Sequence, residues 1–165
     1  MSPRPIVAWP AKVLRTPAAP VDAVTDAVRA LWDEMIAVME AMPGVGLAAP
    51  QIGVELRLAV VDASRERGFA VRLANPEIVW ASDEMRPHDE ASPCLPGVSA
   101  VLSRPRAVRV RFLDAAGQVA EREFVDLWST SVQHQVDHLE GRMYFDRLSR
   151  LKRDRLLARA RKAGR

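Results

Sequence analysis

The sequence predicts an α+β fold, and three observations carry that expectation. Short runs with β-like alternation are interspersed with segments of helical periodicity, the strand–helix–strand rhythm of a parallel sheet is absent, and turn-forming residues separate the strand-like runs. Asp22 to Met42 places Val24, Val28, Leu31, Trp32, Met35, Val38 and Met39 on one stripe and stops at Pro43-Gly44, which predicts the first helix. Leu56–Val61 and Phe69–Leu73 read as a hairpin around the polar turn Ala63 to Gly68. Ala107–Leu113 alternates Val108, Val110 and Phe112 with Arg109 and Arg111, a half-exposed strand. Asp114-Ala115-Ala116-Gly117 turns it into a partner ending near Phe124-Val125. Asp126 to Glu140 reads as a helix stopped by Gly141, and Leu148, Leu151, Leu156 and Leu157 mark a final amphipathic helix.

The chain has 165 residues, enough for a single domain with its own core, and the expected span of that domain is 1–165. Cys94 is the only cysteine, so no internal disulfide forms, which suits a cytoplasmic protein. No apolar run approaches the ~20 residues that cross a bilayer, and Met1-Ser2-Pro3-Arg4-Pro5 has no signal-peptide core. Net charge is +3 but uneven. Arg147 to Arg165 holds nine basic residues against Asp154 alone, making that segment +8 and leaving −5 for residues 1–146. Residues 148–165 are thus expected as a basic C-terminal helix, read either as a polyanion contact or as a solvated terminal helix. No membrane or DNA partner is expected. Trp9, Trp32, Trp80 and Trp128 are scattered, as core or interface anchors are.

The stretch with the most chemistry is His134-Gln135-Val136-Asp137-His138. Histidines four apart share one helix face and can share one metal ion, and the residue after the first is commonly a glutamate acting as general base. Here it is Gln135, a neutral amide that holds water by hydrogen bonds but cannot accept its proton. Two ordinary helix histidines are the plainer reading.

Several segments lower that plainer reading. Gly44-Val45-Gly46-Leu47-Ala48-Ala49-Pro50-Gln51 resembles the first signature of the peptide deformylases, and Gln133 to Gly141 resembles the third, differing at Gln135. Ile6-Val7-Ala8-Trp9-Pro10, Ala74-Asn75-Pro76-Glu77-Ile78-Val79 and Asp146-Arg147-Leu148 extend the resemblance over nearly the whole chain. It implies antiparallel sheets around a central helix carrying the two histidines. It also implies a metal, usually iron, zinc or nickel, held by one cysteine and two histidines, with the C-terminal helix associated with ribosome docking.

Against that pattern the second motif, Glu90-Ala91-Ser92-Pro93-Cys94-Leu95-Pro96-Gly97, departs. A gapless match anchored on Glu90, Pro96-Gly97 and Arg104 puts Ser92 where the family has its ligand cysteine. A hydroxyl stays protonated near neutrality, whereas a ligand supplies thiolate, imidazole or carboxylate. Cys94 is the possible rescue, but residues i and i+2 of an extended segment are roughly 6.5 Å apart. The resemblance assigns oxyanion stabilisation to Gln51 and to a backbone N–H at the position now held by Pro93, which has none. Losing one such donor costs about 3 kcal/mol of transition-state stabilisation.

The expectation is therefore a deformylase-like protein that keeps the N-formyl-methionyl peptide pocket, with Gly44, Val45, Gly46 and Leu47 as its peptide-binding segment and little or no deformylation. Its metal would be absent or weakly held by His134 and His138. One alternative is an active metal-dependent deformylase using Cys94 or water in the ligand position. Another is a hydrolase of a different amide or acyl substrate. Leu47-Ala48-Ala49 reads equally as peptide-pairing strand and as plain packing. Ser129-Thr130 replaces the Ala-Arg that the resemblance implies, removing a possible partner for a carboxylate. His88 and Asp89 are expected in an exposed turn after Arg86-Pro87, with a relocated metal site as the lesser reading.

Overall fold

The computed structural model describes residues 3–164, so Met1, Ser2 and the last basic residue, Arg165, lie outside it. Seven strands and three α-helices follow one another as α1 (Asp26–Ala41), β1 (Gly46–Ala48), β2 (Leu58–Val61), β3 (Val71–Ala81), β4 (Met85–Glu90), β5 (Ala100–Pro105), β6 (Ala107–Leu113), β7 (Val119–Val125), α2 (Leu127–Leu139) and α3 (Arg150–Ala163). β1-β2-β3-β6-β7 form one antiparallel sheet and β4-β5 a second. This is the expected α+β architecture.

The large sheet is covered on both faces, and β2 shows why its sequence is continuously apolar. Leu58 and Val60 pack under α1 with Trp32, Met35, Met39 and Leu47, while Ala59 and Val61 face the opposite cluster with Val132 and Leu139 of α2. Alternate residues of a strand point to opposite faces, so a strand buried on both sides has no polar positions. From Ser129 to Leu139 every residue of α2 is buried, which makes it the central helix. A third cluster of Leu14, Cys94, Leu102, Met143, Tyr144, Phe145 and Leu156 ties the small sheet to α3.

Several boundaries move from the sequence reading. α1 begins at Asp26 and not Asp22, because Thr25 caps it by accepting the Val28 N–H. The predicted hairpin forms, but its strands start at Leu58 and Val71, and Phe69 is left exposed. Its turn is knotted by the Asp62 carboxylate, which accepts hydrogen bonds from the Ser64 hydroxyl and from the N–H groups of Ser64 and Phe69. Residues 85–90 form a strand paired with β5, not the exposed turn expected around His88 and Asp89. α3 begins at Arg150, after the Ser149 cap, and not at residue 148. It is less amphipathic than expected, since Leu151 is exposed and only Leu156 and Ala160 are buried. Two basic residues of the expected tail are paired, Arg147 with Asp137 and Arg153 with Asp146.

Candidate active site

β1 lies at the edge of the large sheet and directly against α2. A Cβ on Gly46 would stand 2.5 Å from Gln135 Nε2 and 2.6 Å from Ser131 Oγ, so only glycine permits this approach. Ser131 fastens the contact by donating to the Val45 carbonyl at 2.8 Å. From the other side Arg67 donates to the Gly44 and Asp62 carbonyls, and the Asp62 N–H reaches the Val45 carbonyl. The segment Gly44–Gly46 is thus held as an extended wall.

That wall closes one side of a cavity of about 440 Å³, whose lining includes Gly44, Val45, Gly46, Gln51, His88, Asp89, Glu90, Ser92, Pro93, Thr130, Ser131, His134 and Gln135. Most of the site residues read from the sequence meet here. Leu47 does not, since it is fully buried beneath α1, and Ala48 and Ala49 are buried too. The side chains of Leu47-Ala48-Ala49 therefore serve packing, and the cavity is offered the backbone before them.

Behind the cavity stands a network of buried charges. Arg104 donates to Glu90 through Nε at 2.7 Å and Nη2 at 2.9 Å, and to Asp137 through Nη1 at 3.0 Å. Arg147 closes on the same Asp137 with two bonds of 2.7 Å. Glu90 Oε1 also meets His134 Nδ1 at 2.8 Å, and since the carboxylate can only accept, Nδ1 is the donor in that bond. Burial raises the Glu90 pKa, but hydrogen bonds and charge from His134 and Arg104 outweigh it and hold the group at about 2. His138 is wholly buried and its pKa is driven well below the ordinary value, first by desolvation and then by His134 and Arg104. The sequence offered few pointers to Asp137 and Arg147. A lone acid one turn after His134 in a buried helix was the available sign.

The front of the site differs. Ser92 is buried, and its Oγ accepts the Cys94 N–H at 3.3 Å. Gln51 Oε1 accepts the Ala48 N–H at 2.9 Å, and its Nε2 lies 3.7 Å from Cys94 Sγ. Cys94 faces the third core cluster, and burial pushes its thiol pKa up. Thr130 Oγ1 takes a hydrogen bond from Arg86 Nη1 at 3.2 Å, so a guanidinium from β4 comes to the position beside which the sequence lacks an arginine.

The donor set can be weighed directly. His138 Nδ1 and Nε2 and Gln135 Oε1 are buried without hydrogen-bond partners among the described residues, and the two histidine rings stand 4.9 Å apart. Unpartnered imidazole nitrogens are what ligand histidines leave for an ion. The third, anionic donor is missing, for Ser92 supplies a hydroxyl and Cys94 is turned to Gln51. Among the described residues no three His, Cys, Asp or Glu side chains gather as a metal-binding set. The residues do not fit a tightly held three-ligand ion.

An extended edge strand and a two-histidine helix, meeting over a cavity in an antiparallel α+β fold, define the class of architecture. The chain belongs to the polypeptide deformylase family, whose model matches residues 3–154. The peptide deformylase of Methylocella silvestris is 42% identical over 165 residues, covering 97% of this chain and 84% of the relative. A peptide deformylase-like protein of Bradyrhizobium diazoefficiens is 40% identical over 165 residues, covering 100% and 96%. The crystal structure of a peptide deformylase from Legionella pneumophila superimposes with a TM-score of 0.91 at 34% identity, covering 99% of this chain and 96% of that one. That of Ehrlichia chaffeensis in complex with actinonin has the same TM-score at 32% identity, covering 100% and 99%.

Proposed function

We propose that this chain is a deformylase-like protein whose cavity takes the N-formyl-methionyl end of a peptide, with little or no deformylation. The observation that carries the reading is that Ser92, Pro93 and Gln135 together wall the cavity at the positions where the resemblance requires ligand thiolate, oxyanion N–H and general base. Catalytic groups act as a unit, and loss of one is often nearly as damaging as loss of several. The neutral edge of Gly44–Gly46 supports pairing with an extended peptide whatever follows chemically.

A second reading is an active peptide deformylase that removes the formyl group from the N-terminal formyl-methionine of nascent proteins. The comparisons favour it over the first: relatives 42% and 40% identical over nearly the whole chain are named peptide deformylase, and none speaks of impaired activity. The unpartnered His138 nitrogens also suit it. Metal analysis of anaerobically purified protein, run beside a formyl-peptide turnover assay, separates the two. The first reading expects far less than one equivalent of iron, zinc or nickel and no formate. Stoichiometric metal with formate release establishes the second.

On the same footing we place the chain in the cytoplasm as one domain over residues 1–165, near ribosomes. Among the described residues no helix is long and apolar enough to cross a membrane. Basic residues Lys152, Arg155 and Arg159 line one groove between α3 and β5 and suit a phosphate backbone. Because Leu156 is buried in the third cluster, deleting α3 would disturb the core. Charge reversal at Lys152, Arg155 and Arg159 is the cleaner probe. It should abolish salt-sensitive co-sedimentation with ribosomes, and unchanged sedimentation removes the ribosome as a partner.

A further inference from the structure

β4 and the first turns of α2 are joined across the cavity by two rungs of unlike charge. Arg86, His88 and Glu90 share the more buried face of β4, while Met85, Pro87 and Asp89 alternate to the exposed face. Glu90 meets His134 at one rung, 2.8 Å, and Arg86 meets the Thr130 hydroxyl at the other, 3.2 Å. Thr130 precedes His134 by one helical turn, about 6 Å along the axis. Between the rungs His88 lines the cavity, its imidazole without a hydrogen bond or ion pair among the described residues. The first rung is balanced, since Glu90 and Asp137 share Arg104 and Arg147. The second is not. Arg86 is half-buried, and the acids closest to it in sequence are engaged elsewhere, Glu84 with Arg106, Asp89 with the Ser99 hydroxyl and Glu90 with Arg104. Its guanidinium makes one hydrogen bond among the described residues, to Thr130 Oγ1, which leaves its other N–H groups and the Thr130 proton to donate.

We propose that Arg86, His88 and Thr130 form a carboxylate subsite for the first side chain of the bound peptide, so that an N-formyl-glutamyl end is held more tightly than an N-formyl-methionyl one. The inference rests on the reading of the cavity as a peptide N-terminus site and goes beyond it in the side chain preferred. A carboxylate is acceptor only, the complement of a guanidinium, a hydroxyl proton and an imidazole N–H, and such charge-assisted bonds are roughly twice as strong as neutral ones. Methionine still finds apolar contact on Met42, Val45 and Leu127 of the lining. Its thioether is a weak acceptor, however, and seating it against Arg86 would strip water from an unpaired cation. Asp89 and His134 share the lining without cancelling the preference. Asp89 is exposed on the other face of β4, where water screens it, and His134 gives Nδ1 to Glu90.

The test uses the full chain and three N-formyl tripeptide amides that differ only in the first residue, glutamate, glutamine or methionine, titrated calorimetrically at pH 7. The glutamyl peptide should bind about tenfold more tightly than the methionyl one, with the glutamine peptide between them. Where formate is released, the kcat/KM values of the three peptides replace the affinities and must fall in the same order. Arg86→Met should remove the advantage of glutamate over glutamine, and Arg86→Lys, which keeps the charge and loses the planar fork, should restore part of it. Near-UV circular dichroism checks each variant, and His88→Leu, which should shrink the same ratio, carries the test where Arg86→Met fails to fold. A methionyl peptide that binds as tightly as the glutamyl one overturns the inference while leaving the cavity a peptide site. A glutamate preference that survives in Arg86→Met overturns it too, since the carboxylate is then held elsewhere. Binding of none of the three overturns both the inference and the peptide reading.

Discussion

The back and the front of this cavity contrast sharply. Behind the histidines, Glu90, Arg104, Asp137 and Arg147 form a saturated set of ion pairs, every distance within 3.0 Å. In front, Ser92, Pro93 and Gln135 present a hydroxyl, an imide nitrogen without hydrogen and an amide with an unpartnered oxygen. The back is made of charges that cannot be removed singly. Its front positions are neutral, and of the three only Ser92, which accepts the Cys94 N–H, has a hydrogen-bond partner to lose. A fold can therefore hold its site architecture through the first region while the chemistry of the second drifts or is given up.

The contrast breaks first at Arg104, which serves two buried carboxylates. Arg104→Met leaves Glu90 with His134 alone and takes one of the two arginines from Asp137, and should cost about 3–5 kcal/mol, read as a fall in the urea midpoint. Ser92→Ala and Gln135→Ala should each cost no more than about 1 kcal/mol. Equal losses at the back and the front would erase the distinction.

Asp62 supports the front wall from the side, and its effect should depend on pH. Burial raises its pKa, but hydrogen bonds from Ser64 and Phe69 and the charge of Arg67 outweigh that and leave it below the ordinary value of 3.8. A carboxylate depressed on folding contributes stability that is full above its unfolded value and is lost as pH falls through its folded value. The wild type should therefore lose stability below about pH 4 relative to Asp62→Asn, which starts about 2 kcal/mol lower at neutrality and shows no such slope. Parallel acid curves for the two proteins would remove Asp62 from this role.

A finer probe of the strand-to-helix contact is Gly46→Ala. The added Cβ meets the flexible end of Gln135 and the Ser131 hydroxyl, so a cost of about 1 kcal/mol is expected, together with weaker peptide binding. Combining it with Gln135→Ala should recover part of that loss, and strict additivity would show that the two residues do not press on each other.

Much of this was legible in the sequence for physical reasons that differ by element. β6 was placed by alternation, because its residues are buried and exposed in turn, and β7 by the turn Asp114 to Gly117 that feeds it. α2 was placed by its flanking signals and motif. β4 and β5 were not found, since His88, Asp89 and Glu90 read as a polar turn. The residues that anchor β5 lie far away in sequence, Asp137 against Arg104 and Met143, Tyr144, Phe145 and Leu156 in the cluster that holds Leu102. At the site, Ser92, Gln135, Gln51 and the histidines were readable one by one. The shared use of Asp137 by Arg104 and Arg147 was not, because a charge network is a property of three-dimensional neighbours. Leu47 shows the converse failure, a motif residue whose side chain faces the core.

The smallest expected effect is the most discriminating for the front of the cavity. Gln135→Glu restores a carboxylate where a general base belongs, yet a base needs an activated water to deprotonate, and the donor set around His134 and His138 lacks an anionic third member. Alone, the substitution should give no measurable formate from a formyl-methionyl peptide. Adding Ser92→Cys supplies the thiolate, and replacing Pro93 by leucine returns a backbone N–H, so the triple variant should gain metal, measured by elemental analysis, together with turnover. Because the buried charges behind the histidines already balance, the two new anions should destabilise the protein without metal and stabilise it once metal is added. Robust deformylation from Gln135→Glu alone would show that the site already holds its ion, and would turn the contrast between the two regions into a difference of one residue.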